Sequence, residues 1–381
     1  MASIYERLGV RTIINARGTH TRLGGTLMAP EILDAMREAA GTYVVLEELQ
    51  AKASELIVRA TGAEAGMVTG GAAAGLLLGT AACLAGTDAR RIAQLPDTTG
   101  LRDEAIVHRA HRNGYDHSVR AAGAKMVEIG DAHGTTARDL EGAFGERTAL
   151  VCYLMSPWAG RGALSLRETA AIAGRHGIPV LVDAAAVLPP AENLRRFIDA
   201  GAALVAFSGG KGLNGPQGSG ILAGRADLIA AAAANGSPNH GVGRAAKAAK
   251  EDIVGLMVAL ERYLARDHAA DHARWEAQSA YLIERLGHLP GVTATGVYDG
   301  AEHITPRVEL TFDRETGLDA HELVLALEEG DPRIFLFEPN GPTARPNSIV
   351  INTHTMRPGD ERAIAEALHP ALLARLPLTV P

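Results

Sequence analysis

Residues 149–155 read Ala-Leu-Val-Cys-Tyr-Leu-Met, an unbroken apolar run. A strand with one wet face alternates polar and apolar positions. A run with no polar position is covered on both faces, and sheets covered on both faces are mostly parallel, with helices above and below. The surrounding sequence fits that requirement. Short β-like runs at 65–69, 104–108, 125–129, 179–183, 203–208 and 218–223 alternate with helical stretches at 72–85, 166–176 and 192–200. The Ala/Leu/Gly run from 71 to 86 is too short and too rich in small residues for a membrane span of ~18 or more apolar residues, and reads as a buried helix. Beyond residue 248 the texture changes. A long helical stretch at 251–286 leads to strands at 292–297, 307–312, 334–337 and 348–352, with helices near 319–329 and 360–376. The expected organisation is α/β: an N-terminal segment over 1–45, a large domain over 46–250, and a linking helix with a small α+β domain over 251–381.

Bulk properties narrow the function classes. The chain has 381 residues, enough for one large and one small core, and 47% hydrophobic with 21% charged residues is ordinary globular composition. A net charge of −7 argues against a nucleic-acid surface, which carries a basic excess. Cys83 and Cys152 each sit in an apolar stretch, as buried reduced thiols do. With no signal-like start and no membrane span, the expected setting is cytoplasmic.

Three motifs point to one chemistry. Gly70-Gly71-Ala72 follows a strand and opens a helix, where backbone N–H groups can approach a phosphate. Alone this is a weak signal, because a tight strand-to-helix turn needs glycine for steric reasons. Asp183 ends the apolar strand Val-Leu-Val-Asp, at the strand edge where open α/β sheets hold ligands; a helix-capping aspartate is the plainer reading. Lys211 follows another apolar strand in Ser208-Gly-Gly-Lys-Gly-Leu-Asn-Gly-Pro-Gln-Gly. A Walker phosphate loop is excluded there, since Gly212 stands where Ser or Thr is needed and Val205 where the first glycine belongs. A phosphate cradle, an acid for a pyridine nitrogen and a Schiff-base lysine, in that order along the chain, are the parts a pyridoxal-phosphate (PLP) site requires.

These residues resemble the PLP fold-type I superfamily, and within it the selenocysteine-synthase-like branch that includes L-seryl-tRNA(Sec) selenium transferase and the D-glucosaminate-6-phosphate ammonia-lyase-type enzymes. The resemblance spans most of the chain. It runs from Ile14-Asn-Ala-Arg-Gly-Thr-His-Thr-Arg-Leu-Gly-Gly through Thr61-Gly-Ala-Glu, Gly70-Gly-Ala-Ala-Ala, His111-Arg-Asn-Gly-Tyr-Asp-His, Val182-Asp-Ala-Ala-Ala and the lysine segment to Gly243-Arg244 and Lys250-Glu251. The lysine segment with its downstream Gly-Pro-Gln is the most specific part. The resemblance implies an aminotransferase-like large domain with a mostly parallel seven-stranded sheet. It implies Lys211 as the Schiff-base lysine, Asp183 at the ring nitrogen, and Gly70, Gly71, Ala72 and Ser208 at the phosphate. A homodimer or larger ring with shared active sites is implied too. The resembling core starts almost at residue 1 of this sequence, and the expectation is therefore that the tRNA-binding N-terminal domain is missing and the small-molecule branch is favoured.

The substrate residues are less determined. His111 or His117, in the polar run after the strand ending at His108, is expected to stack on the cofactor ring; a solvated loop is the plainer reading, and no ligand spacing supports a metal. Arg17 and Arg22, with His20 between them, and Arg244 and Arg357 are candidates for a substrate carboxylate or phosphate, for which a guanidinium fork is suited. Lys247 and Lys250 belong to the same basic cluster as Arg244, or to a solvated helix face. The expected reaction is a PLP-dependent lyase that eliminates water and ammonia from a β-hydroxy amino acid or amino-sugar acid of the D-glucosaminate type. An amino-acid racemase and a selenium-transferase-like protein are the alternatives.

Overall fold

A computed structural model describes residues 3–155, 160, 162–298, 304–313, 315, 317–339 and 345–374. The chain divides into two compact units. The larger comprises 26–266, and the smaller combines 1–25 with 267–381.

The larger unit is built on a seven-stranded sheet in the order Ala65–Thr69, Gly220–Gly224, Leu204–Ser208, Val180–Asp183, Thr148–Leu154, Glu104–His108, Lys125–Ile129. Every pairing is parallel except those of Gly220–Gly224, which runs antiparallel to both neighbours. The mostly parallel sheet expected from the apolar runs is present, and Val180, Leu181, Val182, Leu204, Val205, Ala206 and Phe207 are all buried. Helix Ala72–Ala85 lies against the sheet along a row of small side chains. A Cβ on Gly79 would meet the Leu181 methyls at 3.0 Å, so the helix can approach this closely only without one. Its apolar character all round follows from burial on nearly every side.

The stretch expected as one long helix over 251–286 is two. Lys250–Ala265 ends where Arg266 turns extended (φ −73°, ψ 142°), and His268–Leu286 starts anew from Asp267, whose carboxylate accepts the N–H of Ala270. Both segments are rich in helix-forming residues, so the break shows only where the large apolar residues stop at Leu264 and Asp267 supplies an N-cap. In the smaller unit, Ser348–Asn352, Arg307–Phe312 and Val292–Val297 form an antiparallel sheet, and Ile13–Ala16 pairs in parallel with Arg333–Leu336. Leu282, Leu286, Val308, Leu310, Leu323 and Ile364 are among the buried residues of its core.

One polar cluster anchors the far edge of the large sheet. The buried Asp103 carboxylate accepts from Arg147 (2.5 Å), Lys125 (3.0 Å) and Thr98 (3.0 Å). Burial raises its pKa, but the bonds from Arg147, Lys125 and Thr98 outweigh this and hold it below the usual carboxylate range. A depressed folded-state pKa means that the stabilisation is present above the unfolded value and lost as pH falls through the folded one. Asp103→Ala should cost about 2–3 kcal/mol at neutral pH, because charged hydrogen bonds are lost while the half-exposed cations rehydrate. Urea unfolding midpoints check this, and the gap between wild type and variant should close in acid.

Candidate active site

The three expected motifs lie on neighbouring strand ends of the large unit. Thr69 and Ser208 each pair with Gly220 of the antiparallel strand between them, and Asp183 pairs with Ala206 of the lysine strand. The sheet therefore brings the Gly70-Gly71 turn, Asp183 and the Lys211 turn to one edge.

Gly71 is the N-cap of helix Ala72–Ala85, with φ +98°, a left-handed value that favours glycine. No side chain caps the helix there, which leaves its first-turn N–H groups without a side-chain acceptor, and a Cβ on Gly71 would meet nothing within 4 Å. Gly70 is closed in on its other side by the backbone carbonyls of Ala246 and Lys247. Ser208 ends its strand half-buried, with its hydroxyl committed to no partner among the described residues. At the lysine turn, a Cβ on Gly212 would sit 2.3 Å from the Leu188 carbonyl oxygen, which is why no Ser or Thr stands after Lys211.

Asp183 is 9% exposed and its Oδ1 accepts the N–H of Ala185 at 3.0 Å. Burial pushes its carboxyl above the usual range, opposed by that bond and by the Lys211 charge. Burial lowers the Lys211 amine, opposed by the Asp183 charge. The two groups sense each other, yet no ion pair within 4.0 Å joins them. An acid, an amine and a helix N-terminus without a side-chain cap, carried on strand ends of one sheet, make the donor set that the ring nitrogen, the reactive carbon and the phosphate of PLP require. No single small anion would need all three.

The structure separates the two histidines. His111 ends the 3₁₀ turn Arg109–His111, is 1% exposed, and shares a cavity with Asp183, Leu76, Asn113, Asp116 and Cys152. Its Nδ1 accepts the Leu154 N–H at 3.3 Å, which places the proton of the neutral ring on Nε2. Tyr153 and His108 lie edge-on to it at 4.4 and 4.8 Å. His108 is buried behind His111, and desolvation lowers its pKa to about 4, which keeps the ring beside His111 uncharged at neutral pH. His117, expected as an equal candidate, is exposed on helix Asp116–Ala121 and does not line the cavity. The two histidines, six residues apart in one polar run, look alike in sequence; packing against Tyr153 distinguishes them.

The basic candidates are dispersed. Arg244 is exposed on the loop that passes Gly70, in the large unit. Arg17, Arg22 and Arg357 belong to the small unit. Arg17 pairs with Glu328 at 3.4 Å, Arg22 is exposed, and Arg357 is exposed with its backbone N–H donating to Asp360. Lys250 has a structural role: its ammonium donates to the carbonyls of Ala39 (2.6 Å) and Ala40 (3.3 Å), capping the C-terminal end of helix Pro30–Ala40, and pairs with Glu251. Thr26 was not foreseen. Its hydroxyl donates to the carbonyls of Gly210 and Lys211. Cys152 lines the cavity, but burial pushes its thiol up and leaves it unreactive.

Comparison with known proteins decides among the families that could carry such a site. The model of the L-seryl-tRNA selenium transferase family (SelA) matches residues 13–274. The chain belongs to this family. D-Glucosaminate-6-phosphate ammonia lyase of Salmonella typhimurium (strain 14028s / SGSC 2262) is 33% identical to it over 98% of this chain and 97% of its own length. 5'-C-Glycyluridine monooxygenase-decarboxylase of a Streptomyces species is 32% identical over 97% of this chain and 92% of its own. A solved structure of D-glucosaminate-6-phosphate ammonia-lyase superposes with a TM-score of 0.85 at 30% identity, covering 98% of this chain and 99% of that one. The SelA-family chain therefore has the PLP fold-type I architecture expected from its motifs.

Proposed function

We propose that this SelA-family protein is a PLP-dependent ammonia-lyase acting on a small β-hydroxy amino acid or amino-sugar acid of the D-glucosaminate type. The observation that carries the reading is likeness to D-glucosaminate-6-phosphate ammonia lyase over nearly the full length of both chains, in sequence and in fold. Gly70, Gly71, Ala72 and Ser208 would hold the cofactor phosphate, Asp183 its ring nitrogen and Lys211 its reactive carbon. When bound, PLP draws the electron pair left by a departing α-proton into its ring. The residues of the chain supply the rest. Asp183 holds a proton at the ring nitrogen. The Lys211 Nζ, kept from strong protonation by burial, takes the proton from the substrate Cα. His111 closes the cavity on the side of Tyr153 and excludes water there. Loss of the β-hydroxyl as water, followed by hydrolysis, gives a 2-oxo acid and ammonia, the water consumed replacing the water released. Arg17, Arg22, Arg244 and Arg357 are the basic groups offered for the substrate's carboxylate or phosphate.

The test is incubation of the purified holoprotein with D-glucosaminate and its 6-phosphate, measuring ammonia and 2-oxo acid together. Equal amounts of both are expected. Exchange of the α-proton for deuterium without ammonia would instead make it a racemase. Oxygen uptake with carbon dioxide release from a glycyl nucleoside would place its chemistry beside that of the Streptomyces relative. Either result overturns the lyase.

The same proposal includes a homo-oligomer with shared active sites and a cytoplasmic setting. Tyr43, Val44, Val45, Leu33 and Leu27 are large apolar side chains left exposed between residues 27 and 45 of the large unit, and burial of these against a second copy would support the oligomer. Light scattering after gel filtration should give at least twice the chain mass of 39.8 kDa. The free thiols of Cys83 and Cys152 suit a reducing compartment.

A further inference from the structure

The turn after Ser208 carries Lys211 between glycines, so no neighbouring side chain stiffens it. A lysine side chain turns about four bonds, and where its Nζ points depends first on the direction of its Cα–Cβ bond. That direction is set by the peptide planes on either side of the residue. In this structure both planes are held. The Thr26 Oγ1 lies 3.2 Å from the Gly210 carbonyl oxygen and 3.1 Å from that of Lys211, so its one proton is shared between the peptide before the lysine and the peptide after it. The Lys211 carbonyl also accepts the N–H of Asn214 at 2.9 Å. Asn214 takes the left-handed conformation (φ 55°), and its side-chain oxygen accepts from Arg266 at 3.2 Å. The lysine turn is thus held by the Thr26 hydroxyl and by the Asn214 main chain.

Resting on the assignment of Lys211 as the cofactor lysine, we propose that Thr26 is a positioning residue: its hydroxyl fixes the two peptide planes around Lys211 and so aims the amine at the site between Asp183 and the Gly71 turn. Valine matches threonine in shape and removes only the donor. Serine keeps the donor and removes only the methyl group. The hydroxyl alone therefore decides the outcome.

The experiment uses the full-length protein freed of cofactor. It is mixed with pyridoxal phosphate at fixed pH, reduced with borohydride at timed intervals, and digested, and the pyridoxyl group on the Lys211 peptide is measured by mass. Thr26→Val should label about tenfold more slowly than wild type, because small errors in aim are costly to reaction at a fixed carbon. Thr26→Ser should label at close to the wild-type rate, and the melting temperatures of the two variants should agree. Labelling of Lys211 in Thr26→Val at the wild-type rate would overturn the inference, as would a serine variant as slow as the valine one. If Thr26→Val does not fold, Thr26→Ala, smaller and equally without a donor, carries the same expectation. Wild-type label on a different lysine would overturn the Lys211 assignment instead, so the two failures are told apart by where the label falls.

Discussion

Lys211→Ala should lower ammonia release by about 10³-fold or more, since in the proposed mechanism it removes both the covalent hold on the cofactor and the base at the substrate Cα. The protein should still fold, because the turn's close contacts are made by its glycines and main chain: Gly212 against Leu188, and the Lys211 carbonyl with Thr26 and Asn214. None of these uses the lysine side chain. The measurement is borohydride reduction of the cofactor-loaded protein followed by peptide mass analysis. Wild type should carry the pyridoxyl group on the peptide containing Lys211, and the variant should carry none. Wild-type turnover in the alanine variant would remove Lys211 from the mechanism altogether.

Asp183→Asn should be the second largest effect, roughly 10²–10³-fold in turnover, because a neutral amide cannot hold a proton on the ring nitrogen where charge develops. It should also move Lys211 in a predictable direction. The Asp183 charge raises the Lys211 pKa against the lowering effect of burial. Removing that charge leaves desolvation unopposed, so the amine of the cofactor-free variant should lose its proton at lower pH than in wild type. The rate of Lys211 labelling by pyridoxal phosphate, followed against pH, reads this directly. An unchanged midpoint would show that the two groups do not interact. An upward shift would show that the sign of their coupling is reversed.

Much of this was legible from local chemistry. The strands Ala65–Thr69, Glu104–His108, Lys125–Ile129, Val292–Val297, Arg307–Phe312 and Ser348–Asn352 were bounded correctly in sequence because each apolar run is closed by turn residues or charge. That Gly71, Asp183 and Lys211 stand at or just beyond strand ends was legible because each follows an apolar run and is flanked by small residues. What escaped depends on distant partners. Ile13–Ala16 is a strand because Arg333–Leu336 lies beside it, and nothing within its own four residues says so. Thr26 reads as one more polar residue after two glycines until the carbonyls of Gly210 and Lys211 are placed against it. His111 and His117 differ only in which of them meets Tyr153. Lys250 reads as a basic surface residue, and its use as a cap requires the end of helix Pro30–Ala40 to arrive from elsewhere.

The single antiparallel strand, Gly220–Gly224, bears on when the protein becomes competent during synthesis. It lies between Ala65–Thr69, made early, and Leu204–Ser208, made late, and pairs with both. A Cβ on Gly220 would strike the Gly71 carbonyl carbon at 2.5 Å, so the phosphate turn takes its shape against a residue that leaves the ribosome long after it. Until that late strand inserts, the nascent chain has an early phosphate turn with no wall behind it and a strand edge with no neighbour. On the proposed assignment of the cofactor site, cofactor capture would report that the last strand of the large unit has docked, and a cofactor that binds only the finished site would draw the late-folding chain toward completion by mass action.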